Sequence, residues 1–404
     1  MERRKFIQLT AMAGLGLGMG GLPLRGALAQ GGSNAADLFM VSAFSGPFAA
    51  NGKYGEMGGR LAVKRLAAEA GRPVNYTTID TQGNVGVATR KVQEAVAQKN
   101  ARIFLGGALS SEALAMSREI HKANGLYITY VGADEVTGSN CNKSTFRWSV
   151  PTYGAIHQTV APVADLHPQA KRWYTITPQY VFGEGLLNNA KDVFKAKGIE
   201  HVGNSYHSLQ EKEFSGYLAN AVAANADVLL ILNFSQQSID TLRQLANFGL
   251  KKKMKVVVAW SAGLDHFSTL GADICDGIYF GVQYWHQHDV PANNEFVKLC
   301  RENFKSAPTL FTAQDYSITT MAIKAIAQAN STDPAKLIPV LEALKWEGLT
   351  GEEKVRAFDH QVEKNYYLLR GKPKDKMRDA DDFAEVVSLG KSFVPQDKSE
   401  CKFA

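Results

Sequence analysis

The fold is most constrained by a repeated alternation of short apolar segments with longer segments of helical period. The apolar segments are too short for buried helices and long enough for buried strands. They occupy residues 38–41, 101–105, 126–131, 226–232 and 255–260. Each is followed by a loop rich in Gly, Ser, Asn or Asp, and the segments at 38–41, 101–105 and 226–232 are then followed by a helical pattern. This alternation predicts an α/β fold with doubly wound parallel sheets.

Length and composition favour two lobes in an exported protein. A chain of 404 residues is long for a single hydrophobic core. The net charge is +6, and the basic residues are scattered along the sequence. They form no basic stripe interleaved with aromatic residues, so we expect no nucleic-acid partner. After residue 29 no apolar run approaches the roughly 20 residues that a membrane helix needs.

Residues 1–29 have the pattern of an export signal. Arg3 and Arg4 precede a Gly-rich apolar run over residues 9–24, and Ala27-Leu28-Ala29 provides small residues for cleavage. The paired arginines resemble a twin-arginine signal, with an ordinary Sec signal as the alternative. We expect cleavage after Ala29 and a periplasmic location.

The four cysteines lie beyond this signal, at Cys141, Cys275, Cys300 and Cys401. An oxidising compartment permits disulfides, and none of the four forms a C-x-x-C pair. Structural disulfides are therefore favoured over free thiols. The sequence does not choose among the possible pairings.

Motifs for catalysis are missing from the sequence. It contains no G-x-S-x-G elbow, no Walker loop and no H-E-x-x-H. His286 and His288 are spaced too loosely from His266 to favour a metal site, and the pair Asp359-His360 lacks a nucleophile placed by a motif. We therefore expect no enzyme activity, no metal and no cofactor.

Several short motifs, taken in order, resemble a known family. They are SGPFAANGKYGEMGGRLAV at 45–63, GGALSS at 106–111, YVGADE at 130–135, YVFGEG at 180–185, NFS at 233–235 and DHQ at 359–361. Their order and spacing are similar to those of the periplasmic solute-binding proteins of the branched-chain amino acid and amide type, which serve ABC importers. The resemblance implies the type I periplasmic-binding-protein fold, in which two doubly wound lobes are joined by three hinge crossovers.

The same resemblance implies where each lobe begins and ends. Lobe one would comprise residues 37–150 and 285–345. Lobe two would comprise residues 151–284 and 346–371. Residues 372–404 would form a charged C-terminal tail.

Ligands of open α/β sheets bind outside the carboxyl ends of the strands, where a helix N-terminus also favours anions. By resemblance, lobe one would hold a carboxylate or amide with hydroxyl and backbone N–H groups, and lobe two would close an aromatic lid. The residues predicted to bind ligand are Ser45, Ser110, Ser111, Ala133, Asp134, Tyr180, Phe182, Phe234, Trp260 and Ser261.

Two departures from the family pattern bear on the ligand. Amino-acid binders of this type usually carry an acidic residue after the strand that here ends at Trp260, and this chain has none before Asp265. A buried ammonium without a partner is very costly. Asp134 stands where a small hydroxyl residue is common, and it would either bind a ligand hydroxyl or amide or cap a helix.

The sequence therefore predicts a monomeric receptor that captures a small molecule by hinge closure and passes it to an ABC permease in the inner membrane. The expected ligand is apolar, aromatic or amide-like rather than a standard branched-chain amino acid. The alternatives are a sensory or lipid-carrying receptor with a non-ABC partner and a periplasmic enzyme that uses the same fold.

Overall fold

A computed structural model describes residues 35–403, so the predicted export signal at 1–29 lies outside the described residues. Lobe one is built on a five-stranded parallel sheet in the order β2-β1-β3-β4-β5. Its strands are β1 (Ala36–Ser42), β2 (Val74–Asp80), β3 (Ile103–Gly106), β4 (Leu126–Thr129) and β5 (Thr145–Arg147). The helices between them are α1 (Ala49–Leu66), α2 (Val85–Lys99) and α3 (Ser110–Lys122).

Lobe two is built on a seven-stranded sheet in the order β15-β14-β10-β9-β8-β6-β7. Its parallel strands are β6 (Arg172–Pro178), β7 (Glu200–His207), β8 (Val228–Ile231), β9 (Lys255–Ser261) and β10 (Tyr279–Val282). The accompanying helices are α4 (Thr152–Leu166), α5 (Val181–Lys197), α6 (Ser215–Ala223), α7 (Gln236–Asn247), α8 (Leu264–Leu270) and α9 (Ala272–Cys275).

The chain then returns to lobe one and crosses once more. Three helices follow, α10 (Pro291–Phe304), α11 (Leu310–Ala329) and α12 (Pro334–Glu342). The last strands are β11 (Lys345–Gly348), β12 (Gly351–Val355), β13 (Val362–Glu363), β14 (Tyr366–Gly371) and β15 (Ala384–Gly390). The predicted α/β class and the doubly wound parallel sheets are confirmed.

The segment 346–371 differs from its predicted place in lobe two. Strands β11–β13 form a separate antiparallel sheet. Val355 and Val362 are buried in the hydrophobic core that contains Phe146 of lobe one, because burying these apolar side chains there is favourable. Only β14 joins the large sheet, where it pairs antiparallel with β10.

The hinge brings the three crossovers into direct contact through Gln283. Its side-chain carbonyl accepts a hydrogen bond from the Val150 N–H at 2.9 Å, and its amide donates to the Val150 carbonyl at 2.8 Å. The Lys364 ammonium donates to the Gln283 carbonyl at 2.6 Å. Val150, Gln283 and Lys364, one residue from each of the three crossovers, therefore form one buried polar cluster.

The C-terminal segment also connects the lobes. Strand β15 pairs with β14 in lobe two, and Cys401 is bonded to Cys141 in the loop between β4 and β5 of lobe one. We call residues 391–403 the strap. Cys275 and Cys300 are free and buried, so the preference for disulfides is correct for one pair and wrong for the other. These two thiols lie in different hydrophobic cores.

None of the helices between residues 35 and 403 is both long and apolar enough to cross a membrane.

Candidate functional site

A narrow cavity lies between the lobes at the carboxyl ends of the strands. Its open space is about 30 Å³, which is room for about two water molecules. Lobe one lines it with Asn51, Ala108, Ser110, Tyr130, Val131, Gly132 and Gln314, and lobe two with Tyr180, Phe182, Phe234 and Trp260. A larger ligand therefore requires some of the lining side chains to move.

Chain topology explains why these residues meet. Ser110 follows β3 and Tyr130 follows β4, while Phe234 follows β8 and Trp260 lies at the end of β9. Parallel strands that share a sheet end at the same edge, so each sheet presents its loops to the cleft. Gln314 is carried on α11, which reaches the same edge from the C-terminal half of the chain.

The side of the cavity formed by lobe two is aromatic. The ring of Phe182 lies 5.1 Å from Trp260 and 6.3 Å from Phe234, measured between ring centroids, and both pairs pack edge to face. Tyr180 lies 5.8 Å from Phe182. This arrangement is the preferred one for aromatic pairs, so the rings form a mutually supported cluster.

The aromatic cluster also touches lobe one. A Cβ atom added to Gly132 would lie 2.6 Å from Cε2 of Phe182 and 2.8 Å from Cη2 of Trp260. Phe234 packs edge to face on Phe311 of α11, with ring centroids 6.0 Å apart. The two lobes are therefore in direct contact through aromatic side chains.

The polar groups that line the cavity are all neutral. They belong to Asn51, Ser110, Tyr130, Tyr180 and Gln314. The side-chain carbonyl oxygen of Asn51 is buried and has no hydrogen-bond partner. The Ser110 hydroxyl accepts a hydrogen bond from the Ala133 N–H at 3.2 Å and can still donate one. The cavity therefore offers hydrogen-bonding groups but, among its described lining residues, no counter-ion.

Two buried carboxyl groups stand behind the cavity wall. Burial raises the pKa of Glu112 to about 7, although its carboxylate accepts a hydrogen bond from the Leu109 N–H at 3.1 Å. Burial raises the pKa of Asp315 well above its ordinary value, and the nearby Tyr130 hydroxyl lowers it only in part. Neither oxygen of Asp315 has a hydrogen-bond partner.

Five of the predicted ligand residues line this cavity: Ser110, Tyr180, Phe182, Phe234 and Trp260. Their role in binding stays a prediction. Ser111 and Ala133 do not line it, although each is adjacent in sequence to a residue that does.

The other three predicted residues do not line the cavity, and their side chains hydrogen-bond to the protein. The Ser45 hydroxyl donates to Asp80 at 3.1 Å. The Ser261 hydroxyl is buried and lies 2.9 Å from Nδ1 of His266. These two hydroxyls are therefore used within the fold.

Asp134 caps a helix, which was one of the two roles considered for it. One carboxylate oxygen accepts a hydrogen bond from the Tyr153 N–H at 3.0 Å, in the first turn of α4. The other accepts one from the Asn189 amide at 2.7 Å. Both oxygens bond to lobe two, and a hydrogen bond from Asp134 to a ligand stays a prediction.

Sequence reasoning missed six lining residues: Asn51, Ala108, Tyr130, Val131, Gly132 and Gln314. Tyr130 and Gly132 lie within the YVGADE motif and follow a predicted strand, so strand position was a usable signal. Asn51 and Gln314 lie on helices, and nothing in their local sequence indicates that those helices border the cleft.

Comparison with known proteins gives a consistent result. A family model described as "Periplasmic binding protein" matches residues 40–376. The Leu/Ile/Val-binding protein homolog 4 of Brucella abortus is 30% identical over 193 residues, which are 45% of this chain and 46% of that protein. The alignment thus spans about half the length of that curated relative.

Solved structures match over more of the chain. An amino acid ABC transporter substrate-binding protein from Pseudomonas fluorescens Pf-5 is 54% identical, with a TM-score of 0.88, and the match covers 91% of this chain and 99% of that one. A solute binding protein of an ABC transporter from Rhodopseudomonas palustris BisB5, in complex with 3,4-dihydroxy benzoic acid, is 20% identical, with a TM-score of 0.81 and coverage of 91% and 100%. The second likeness concerns the fold alone. The predicted two-lobed fold is confirmed.

Proposed function

The chain belongs to the periplasmic binding protein family, and from this premise we propose that it captures a small solute between its lobes and delivers it to an ABC importer. The family is one of binding proteins, not of enzymes. The partner would be a permease in the inner membrane, and the receptor would work in the periplasm as a monomer.

One observation carries the proposal: the cavity at the carboxyl ends of the strands is lined by residues of both lobes. A ligand that touches Ser110 in lobe one and Phe182 in lobe two interacts with both only when the lobes are together. It therefore favours the closed form by its differential affinity. The permease would then distinguish loaded from empty receptor by lobe position.

The chemistry of the cavity supports an aromatic or amide-bearing ligand. Phe182, Phe234 and Trp260 offer a flat apolar surface, and Asn51 and Ser110 offer neutral hydrogen-bonding groups. A ligand ammonium would meet no carboxylate among the lining residues, and an unpaired buried cation is costly. An aromatic amide buries no charge, whereas the carboxylate of an aromatic acid would depend on neutral hydrogen-bond donors such as the Ser110 hydroxyl and the Asn51 amide.

A free amino acid is the alternative ligand. It is supported by the amino acid ABC transporter protein of Pseudomonas fluorescens, which is 54% identical. For this ligand, a buried carboxyl such as Glu112 would have to reach the ammonium, because Asp265 is not among the lining residues.

The two ligand classes are separated by a thermal-shift screen of the mature protein against benzoate, benzamide, phenylalanine and leucine. A ligand at 100 times its Kd stabilises the native state by about 2.7 kcal/mol. We expect benzoate or benzamide to raise the Tm and leucine to leave it unchanged. A Tm shift with leucine and none with benzoate or benzamide would refute the assignment of ligand class.

Two phenylalanine variants test whether the cavity is the site. Phe182→Ala should abolish the shift because Phe182 forms the centre of the aromatic cluster. Phe248→Ala is the matched control, since Phe248 is 55% exposed on the same lobe and lies outside the cavity. If the ligand raised the Tm of both variants equally, it would bind outside this cavity.

A further inference from the structure

A buried histidine ties together the two loops that carry Phe234 and Trp260. Nδ1 of His266 lies 2.9 Å from the Ser261 hydroxyl, and Nε2 lies 3.2 Å from the Ser235 carbonyl oxygen. Ser235 follows Phe234 in sequence, and Ser261 follows Trp260. His266 itself is fully buried on α8 and does not line the cavity.

The hydrogen-bond partners fix the form of this imidazole. A carbonyl oxygen only accepts, so Nε2 carries the hydrogen and donates to Ser235. Nδ1 must then accept from the Ser261 hydroxyl, whose oxygen in turn accepts from the Gly263 N–H at 3.1 Å. Burial lowers the pKa of His266 to about 4, in agreement with a neutral ring. Each ring nitrogen therefore has a partner suited to its role.

The loops need such a connection because both contain an unusual backbone turn. Ser235 has φ 57° and ψ −131°, and Gly263 has φ 63° and ψ −127°. Glycine adopts positive φ readily, whereas a serine there is strained and persists only when its surroundings hold it. The Ser235 carbonyl accepts the bond from His266 in addition to those from the Ser238 and Ile239 N–H groups of α7, so His266 adds a side-chain bond to the strained residue.

We propose that His266 is a positioning residue that fixes the Phe234 and Trp260 rings relative to each other and so determines the selectivity of the cavity for flat aromatic ligands. This inference rests on the proposed function. Without His266, the strained turn at Ser235 relaxes, and the Phe234 ring loses its place beside Phe182. The ligand then meets an aromatic wall that is no longer preformed.

Three substitutions separate the two hydrogen bonds. His266→Gln keeps an amide N–H close to the position of Nε2 and retains the bond to Ser235. His266→Asn keeps only an acceptor for Ser261, and His266→Leu removes both bonds. His207→Leu is the control, because His207 is also buried in lobe two, 2% exposed, but bonds to Ser208 rather than to the aromatic loops.

The first readout needs no ligand. Trp260 emission, obtained by subtracting the spectrum of the Trp260→Phe variant in each background, reports the local position of that ring. We expect a red shift and stronger acrylamide quenching in His266→Leu, and wild-type emission in His266→Gln and His207→Leu. Unchanged Trp260 emission in His266→Leu would overturn the proposal.

The second readout is the affinity for benzoate, measured by calorimetry. His266→Leu and His266→Asn should weaken it about tenfold, which corresponds to a buried hydrogen bond of about 1.4 kcal/mol, and His266→Gln should restore it. Equal losses in His266→Gln and His266→Leu would mean that His266 only fills space, which overturns the proposal. If the wild type does not bind benzoate, the proposed ligand class fails, and the Trp260 emission still decides the role of His266.

Discussion

Substitution of Gly132 by alanine should weaken ligand binding by opposing closure of the lobes. The new Cβ would lie 2.6 Å from Phe182 and 2.8 Å from Trp260, both in lobe two. Real Cβ atoms do not approach carbon so closely, so something must move. Gly132 does not have a positive φ, and alanine therefore brings no backbone strain of its own.

The size of the effect follows from the contact. Overpacking a well-packed interface costs about 1–3 kcal/mol. The clash occurs between residues of different lobes and disappears when the lobes separate. This cost therefore falls on the closed form. An equilibrium shifted by about 1–3 kcal/mol changes by about 5- to 150-fold, and the apparent affinity should fall by that factor while the ligand-free Tm changes little.

Calorimetry with benzoate gives the affinity, and small-angle scattering with and without benzoate gives the extent of closure. Gly216→Ala is the control, because a Cβ added there meets nothing within 4 Å on α6. It should bind as the wild type does and be slightly more stable, by about 0.5–1 kcal/mol. Wild-type affinity and closure in Gly132→Ala would refute the reasoning, since the rings would then not close onto Gly132.

Two further predictions concern stability. Asp315→Asn should be more stable than the wild type, by an amount that grows as pH rises above about 4. The pKa of Asp315 is raised in the folded protein, which therefore keeps a proton that the unfolded chain releases. The free energy of unfolding of the wild type consequently falls by up to about 1.4 kcal/mol per pH unit. Urea unfolding between pH 5 and 8 measures the difference, and a constant difference would mean that Asp315 is ionised in the fold. Cys401→Ser removes the bond to Cys141 and should lower the free energy of unfolding by about 2–4 kcal/mol. The same loss should appear in the wild type under a reductant, and no loss in either case would count against a disulfide in solution.

Most of the parallel strands were predictable because their apolar runs are short and largely buried. Strand β8, for example, reads Val-Leu-Leu-Ile and is buried throughout. Strand β7 was missed because it lies at the edge of the sheet, is only partly buried and contains Gly203. Its pairing with β6, and not its own composition, makes it a strand.

The candidate site was predictable to the extent that strand ends determine it. Phe234 and Trp260 follow directly from this rule. Asp134 and Ser261 also follow strands, but their side chains turn to Tyr153 and His266. Short polar side chains have several partners within reach in a loop, so residue type and position alone do not show which partner is chosen.

The strap and its bond to Cys141 make a covalent ring of residues 141–401, and this ring contains the whole large sheet of lobe two. A protease that cuts the chain once within this ring, even at a crossover, leaves two fragments that remain joined through the disulfide. The two fragments separate only after a second cut or after reduction. A single nick at the hinge therefore leaves both lobes covalently attached to each other.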